Sequence, residues 1–271
     1  MNMKAYMIKK IQSNAVLRKC IIRMTNKIQA VDNQVQILNI HFKKNLIIVQ
    51  GDSNWLYCDE KSYMRHCHVC IDGNNNIVEI ETGTEIYGKD RVNFFIKGKN
   101  NRIIVGKNCK LRNTCFFIEG SNNKIKFENG ISSFEVEFHI EQNNNCIHIG
   151  KRTTFHGRDS YPIHIALDEG SSITIEEDCM FSNNIQIRTT DSHSIVDMNG
   201  KRLNYAENIR IGKHCWIGLG CILLKGTNLA SNTVVAAGTV CTSKFYQENC
   251  IVAGNPAKIV KQNIDWNRKF V

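Results

Sequence analysis

Apolar residues recur at every sixth position through residues 211–241, at Ile211, Ile217, Leu223, Leu229, Val235 and Cys241. The fifth position of each hexad holds Cys215, Cys221, Thr227, Thr233, Thr239 and Phe245, nearly all small. A stride of six fits neither the 3.6-residue period of a helix nor the two-residue alternation of a flat strand. It predicts short straight strands separated by equivalent corners, with every sixth side chain entering one common interior. Small corner residues let the backbone turn tightly beside that interior. Fragments of the same frame lie upstream: Ile175, Phe181 and Ile187; Val105, Leu111 and Phe117; Ile149 and Phe155.

A longer repeat overlays the hexads. The pattern Ile-x-apolar recurs at Ile103/Val105, Ile125/Phe127, Ile147/Ile149, Ile173/Ile175 and Ile209/Ile211, and polar turn blocks such as Asn122-Asn123 and Asn143-Asn144-Asn145 precede its first four copies. The steps are 22, 22 and 26 residues, then 36, so residues 188–208 read as an insertion that leaves one coil. Weaker copies reach back through residues 70–77 and 40–49. The expected architecture is a single all-β solenoid over residues 35–256, a parallel β-helix in which each coil touches only its neighbours, so 271 residues do not imply two domains. Residues 257–271 form a polar, helix-compatible tail. In residues 1–34, Met3, Met7, Ile11, Ala15, Ile22 and Met24 share one helical face opposite basic residues, which predicts a helical segment that caps the first coil. The alternative for residues 1–31 is a helix lying on an anionic membrane surface.

Composition agrees with strands and sharp turns: 36 Ile and 32 Asn stand against 2 Pro. The net charge of +10 is uneven, because residues 1–31 carry seven basic residues and no acid, leaving 10 − 7 = +3 for the other 240. A general nucleic-acid surface is therefore not indicated. No stretch approaches the ~20 apolar residues of a membrane span, and Lys9, Lys10 and Gln12 interrupt any signal-peptide core, so a cytoplasmic protein is expected. Cys109, Cys115, Cys179, Cys215 and Cys221 fall on fifth positions of hexads, which makes the 12 cysteines mostly core thiols rather than a disulfide framework. The cluster His66-Cys67-His68-Val69-Cys70, with Cys58 nearby, lacks a regularly spaced second ligand pair, and no metal is expected.

The blocks Ile211-Gly212-Lys213-His214-Cys215-Trp216-Ile217-Gly218, Val235-Ala236-Ala237-Gly238-Thr239-Val240 and Val252-Ala253-Gly254-Asn255-Pro256-Ala257-Lys258 resemble, in order and spacing, the hexapeptide-repeat acyltransferases. The stretch Arg188-Thr189-Thr190-Asp191-Ser192-His193-Ser194-Ile195 looks like the active-site loop of their sugar and polysaccharide O-acetyltransferase branch. One departure is Leu223-Leu224-Lys225-Gly226, where the family usually has Pro after the paired apolar residues. The resemblance implies a left-handed, triangular β-helix assembled as a homotrimer, with acetyl-coenzyme A as co-substrate in the groove between subunits. It also implies transfer of acetyl to a hydroxyl of a sugar, expected to be a surface polysaccharide (capsular or O-antigen) or its precursor.

Such a transfer needs a base for the hydroxyl proton, and neutral imidazole suits that task. His193, in the polar insertion, is the expected catalytic base; His214 ranks second, and His139, His148, His156 and His164 are further alternatives. Arg188 and Asp191 are expected at the acceptor, with Asp191 or Asp197 able to orient the ring. By resemblance, Trp216 sits at the reacting groups, while a Trp packed between coils or subunits is the bland reading. A backbone N–H near Gly218 is a candidate donor to the oxyanion, because glycine permits close approach. Ala236 and Ala237 would let the pantetheine arm lie on the backbone, Lys244, Lys258 and Lys261 would meet the phosphates, and Asn255 and Pro256 would shape the adenine end. N-acetylation of a nucleotide-linked amino sugar and a non-catalytic scaffold are the competing functions. A β-helix carbonic anhydrase would need two histidines five residues apart, and no pair of the nine has that separation.

Overall fold

Three short strands per coil, each hydrogen-bonded in parallel to its equivalent one coil on, build the molecule. Thr154–His156, Ile163–Leu167 and Ser172–Ile175 illustrate it: they pair with Met180–Phe181, Gln186–Arg188 and Ile209–Ile211 respectively. A sixteen-stranded sheet covers two faces and a ten-stranded sheet the third, giving a left-handed parallel β-helix of about ten coils. The computed structural model describes residues 26–39 and 42–269.

The Ile-x-apolar repeat is the third face. Ile103, Ile125, Ile147, Ile173 and Ile209 lie side by side in successive coils, all at most 1% exposed. The hexads are the C-terminal coils, where Ile211 pairs with Leu229 and Ile217 with Val235, so one coil is 229 − 211 = 18 residues, or three hexads. Upstream coils are longer (125 − 103 = 22 residues), because the strands Tyr63–Asp72, Lys110–Glu119 and Ser132–Glu141 run unbroken around a corner. They bend at His66, Asn113 and Glu135, all left-handed with φ of 51–53°. That extra corner residue corrects the frame read from the sequence. Leu111 points inward, but Phe116 and Ile118 fill the core while Phe117 and Cys115 lie at its margin, only half-buried.

Two axial stacks tie the coils together. Phe94, Phe116 and Phe138 stack inside with successive ring separations of 5.1 Å. At one corner Asn54, Asn76, Asn101, Asn123 and Asn145 form a buried ladder, each amide oxygen accepting both the backbone N–H and the side-chain N–H of the next asparagine at 2.9–3.1 Å. Their neighbours Asn75, Asn100, Asn122 and Asn144 hold left-handed φ of 56–65° in the same turns. Beside the ladder, a Cβ on Gly98 would sit 1.9 Å from the Gly120 carbonyl oxygen, so only glycine lets these coils close.

The ends differ from expectation. Lys27–Ala30 and Gln34–Ile37 are strands that pair with Leu46–Gln50 and Trp55–Cys58, so the described part of residues 1–34 belongs to the solenoid and is not helical. The amphipathic face expected between Met3 and Met24 lies outside the described residues. At the other end Lys258–Gln262 is a strand, antiparallel to Cys250–Ala253, where a helix-compatible tail was expected. No helix among the described residues is long and apolar enough to cross a membrane.

Candidate functional site

The insertion at 188–208 leaves the solenoid after strand Gln186–Arg188 and returns at Ile209–Ile211. It folds as a small hairpin, with Val196 bridging Arg202 and the Leu203 N–H donating to the Ile195 carbonyl at 2.8 Å. Polar side chains pin its base. Asn204, only 7% exposed, donates to Asp191 Oδ2 at 2.8 Å and to the His193 carbonyl at 2.7 Å, and its own oxygen accepts the Ile195 N–H at 2.7 Å. Lys225 pairs with Asp191, and Arg202 pairs with Glu169, whose other oxygen accepts the Ala206 N–H at 3.0 Å. The Lys225 ammonium, then the Asn204 amide, hold the Asp191 carboxyl below its ordinary range. The result is an exposed His193 imidazole on a backbone fixed from both sides. Asp191 anchors this loop through Lys225 and Asn204.

Next to the hairpin base lies a cavity of about 140 Å³ lined by His139, His164, Asp168, Arg188, Thr190 and Ser192, among others. Arg188 reaches Ser192 Oγ at 2.9 Å. His139 is held between Glu141 at 3.0 Å and Glu137 at 3.7 Å, and Glu137, His139 and His164 are the one group of metal-ligand type among the described residues. Burial first, with Arg188 and His139 adding to it, pulls the His164 imidazole below its ordinary pKa. The cavity thus presents one guanidinium, two hydroxyls and two imidazoles, together with the carboxylates of Glu141 and Asp168.

His214 has both ring nitrogens engaged: Nδ1 faces Asp178 Oδ2 at 2.7 Å, and Nε2 faces the Trp266 carbonyl at 3.1 Å. Its ring stacks on Trp266 at 4.2 Å, and the Trp266 indole N–H donates to the His214 carbonyl at 2.8 Å. This imidazole fastens the returning C-terminal tail to the solenoid wall. Trp216, 38% exposed, lies 5.8 Å from Trp266 at the edge of that cluster. Trp216 is on the first face and Arg188 on the second, since Trp216 pairs with Met180 and Val234 while Arg188 pairs with Ala166 and Leu224. One chain does not bring His193 and Trp216 together.

The expected cofactor residues divide likewise. Gly218, Ala236, Ala237, Asn255 and Pro256 stack along the corner between the first two faces, and Lys258 follows on the antiparallel strand. The Gly218 N–H itself donates to the Val235 carbonyl at 2.9 Å, so a free donor near this position belongs to another residue. Glycine is needed there because a Cβ would stand 2.8 Å from Val235 O and Ala237 N. The Ala236 N–H is also bonded, to Val252 O, whereas the exposed Ala237 makes no backbone bond through its N–H among the described residues. Lys244 lies on the third face, in an open cleft of about 460 Å³ with Glu207, Arg210 and Asn228.

Most of the described cysteines are core thiols. Eight of the 11 described are buried, and burial pushes the Cys58 and Cys241 thiols up to about 12 and Cys109 up to about 11. In the Cys58–Cys70 region, strand alternation turns Cys58 and Cys67 inward and His68 and Cys70 outward, so these residues do not converge. Sequence reasoning missed Asn204, Glu169 and Lys225. The anchors at 169 and 225 lie in the coils flanking the insertion, and no local spacing marks them.

No family model matches the chain. It is 32% identical over 200 residues to a polysialic acid O-acetyltransferase of Neisseria meningitidis, covering 73% of this chain and 88% of the relative. A polysialic acid O-acetyltransferase of Escherichia coli O1:K1 is 34% identical over 121 residues, which is 44% of this chain and 38% of that protein. The solved polysialic acid O-acetyltransferase OatWY superposes with a TM-score of 0.62 at 26% identity, over 91% of this chain and 92% of its own. Sharing sequence and solenoid with these proteins over most of its length, the chain belongs to the hexapeptide-repeat O-acetyltransferases.

Proposed function

We propose that this O-acetyltransferase moves acetyl from acetyl-coenzyme A to a hydroxyl of an acidic capsular polysaccharide of the polysialic acid type, with His193 as general base. The observation that carries the reading is the anchored 188–208 hairpin, which holds an exposed imidazole beside a cavity containing Arg188. A sugar hydroxyl is almost wholly protonated at neutral pH, so its proton must leave as its oxygen attacks the thioester carbonyl. His193 takes that proton. The tetrahedral intermediate then expels the coenzyme thiolate, which takes the proton back from the imidazolium and leaves as free thiol. The Ala237 N–H is a donor for the pantetheine arm along the Gly218–Ala236 corner, with Asn255, Pro256 and Lys258 beyond it.

The exit of the His193 hairpin from the second face, with Trp216 on the first, supports a homotrimer in which Trp216 and the corner groove of one subunit meet the hairpin of the next. Lys244, on the third face, would then serve a neighbour's groove. A monomeric mass by light scattering at micromolar concentration would count against this arrangement. Residues 1–31, with seven basic residues and no acid, suit contact with an anionic membrane surface.

The test is thiol release from acetyl-coenzyme A with polysialic acid as acceptor, wild type beside His193→Ala and His214→Gln. His193→Ala should lower kcat by at least ~10²-fold. His214→Gln should keep kcat within a few-fold but weaken the tail attachment. The reverse ranking would move the base to His214.

A further inference from the structure

We infer that the outer surface of the N-terminal coils is a binding track for a long anionic polysaccharide, which it leads toward Trp216; this rests on the acetyltransferase reading above. The track is a ladder set by strand register. Lys43 bridges Arg65, Arg65 pairs with Tyr87, Tyr87 with Arg112, Arg112 with Phe134, and Phe134 with His156. Equivalent positions in a parallel sheet point the same way, so these six side chains form one column on the first face of the solenoid. Cations and rings are mixed along it, with Tyr87 43% and Phe134 38% exposed. Neighbouring coils are ~4.8 Å apart, so five steps make the column ~24 Å long. Two more coils on the same face, from Thr154 through Met180 to Trp216, extend it to ~34 Å.

Length, ring faces and unpaired cations together select the ligand. A single sugar would occupy only a fraction of such a column, whereas a polymer fills it. The apolar faces of sugar rings stack on Tyr87 and Phe134, and carboxylates pair with guanidinium. Arg65, Tyr87, Arg112, Lys110 and Tyr63 already surround an open cleft of about 300 Å³, which Glu85 also lines. The Arg65 guanidinium lies 5.0 Å over the Tyr63 ring, which holds it flat against the surface. None of Lys43, Arg65, Lys110 and Arg112 is in an ion pair with a described residue, whereas Lys151, Arg202, Arg210, Lys213 and Lys225 each pair with a carboxylate. At the far end Arg268 donates to Thr154 Oγ1 at 2.8 Å where the column passes the Trp266 cluster, but it is paired with Asp178 and is not one of the unpaired cations. Mixed basic and aromatic surfaces also bind single-stranded nucleic acid. The polysaccharide is favoured here because the same face continues to Trp216 of a sugar O-acetyltransferase.

The experiment measures binding of long-chain polysialic acid to the full-length protein by isothermal titration calorimetry, so that no turnover is needed. R65A/R112A should weaken binding at least about ten-fold and flatten its salt dependence. K124A/K126A removes the same charge from the third face and should leave the affinity unchanged. Tyr87→Ser, which keeps the charge, should weaken binding several-fold and guards against a folding defect in the double variant. Several results overturn the track. These are wild type failing to bind, unchanged affinity in R65A/R112A, equal loss in K124A/K126A, poly(dT) binding as tightly as the polysaccharide, or an altered oligomeric state in R65A/R112A, which would make the face a subunit contact. If wild type binds with this residue dependence yet transfers no acetyl to the polymer, the acceptor assignment fails and the track stands.

Discussion

Asn123→Ala removes one rung from the middle of the asparagine ladder, and the cost follows from what is left behind. The side chain, 1% exposed, donates to Asn101 Oδ1 at 3.1 Å and to the Gln142 carbonyl at 3.0 Å, and accepts the Asn145 backbone N–H at 2.9 Å and Asn145 Nδ2 at 3.0 Å. Two of these partners keep another bond: Asn101 Oδ1 still accepts the Asn123 N–H, and Asn145 Nδ2 still reaches the Glu141 carbonyl. The Asn145 N–H and the Gln142 carbonyl lose theirs. One wholly buried orphan and one at the margin, at about 1–3 kcal/mol each with the marginal one partly rescued by water, give about 2–4 kcal/mol. For a chain of this size that is a fall of roughly 5–15 °C in Tm. Asn122→Ala is the control. It loses a single bond from Asn100 at 3.2 Å and places alanine at φ 60°, for about 1 kcal/mol. Thermal unfolding followed by circular dichroism separates the two, and hydrogen exchange should show lost protection in the coils on either side of Asn123. A Tm within ~2 °C of wild type, or equal losses from both variants, would refute the claim that the inner asparagines are structural and the outer ones only turn residues.

Lys225→Met takes the cation from Asp191 and leaves Asn204 as its remaining anchor; kcat/KM should fall about ten-fold or more from a loosened hairpin, with Tm nearly unchanged, and a large Tm loss with intact kinetics would contradict the assigned role. For His164 the sign is set by burial, which lowers the folded-state pKa below the ordinary 6.5, so the unfolded chain binds the proton first as pH falls. Its contribution is full above pH 6.5 and declines as pH drops from there through the folded-state value, so Tm should fall with acidification over that window and His164→Gln should fall less steeply. Equal slopes would show that the imidazole is not desolvated.

The C-terminal coils were legible in the sequence because each is three hexads, so one period serves the strand, the corner and the interior together. The wider coils hid that frame. A left-handed residue at Asn113 or Glu135 adds one position to the corner and shifts every later side chain to the opposite side of the wall, which is why Phe117 read as core and Phe116 is. The abundance of asparagine was visible but its division of labour was not. Adjacent asparagines such as Asn122 and Asn123 do different work, one through backbone conformation and the other through a buried amide, and local composition does not distinguish them. The sequence could nominate site residues only where a motif is continuous in the chain, as at Arg188–His193. The anchors Glu169, Asn204 and Lys225 are brought to the hairpin from elsewhere, so only the fold reveals them.

On the proposed reading the two kinds of coil take two kinds of work. Eighteen-residue coils have two- and three-residue strands, so corners recur often and backbone N–H groups such as that of Ala237 are presented at an edge, as suits a narrow coenzyme arm. In the wider coils the ten-residue strands turn a corner at residues such as Asn113 and Glu135, and their first-face segments stack in register so that outward side chains stand in columns, as suits an extended polymer. The first face is continuous from one region to the other, through Ser132, Thr154, Met180 and Trp216. A polymer held on the broad coils therefore remains near the edge where acetyl would be delivered, and the gain is one of effective concentration rather than of contact at the reacting hydroxyl. On this argument, changes in the N-terminal coils should alter the preference for long over short acceptors, whereas changes at His193 should depress turnover of both alike.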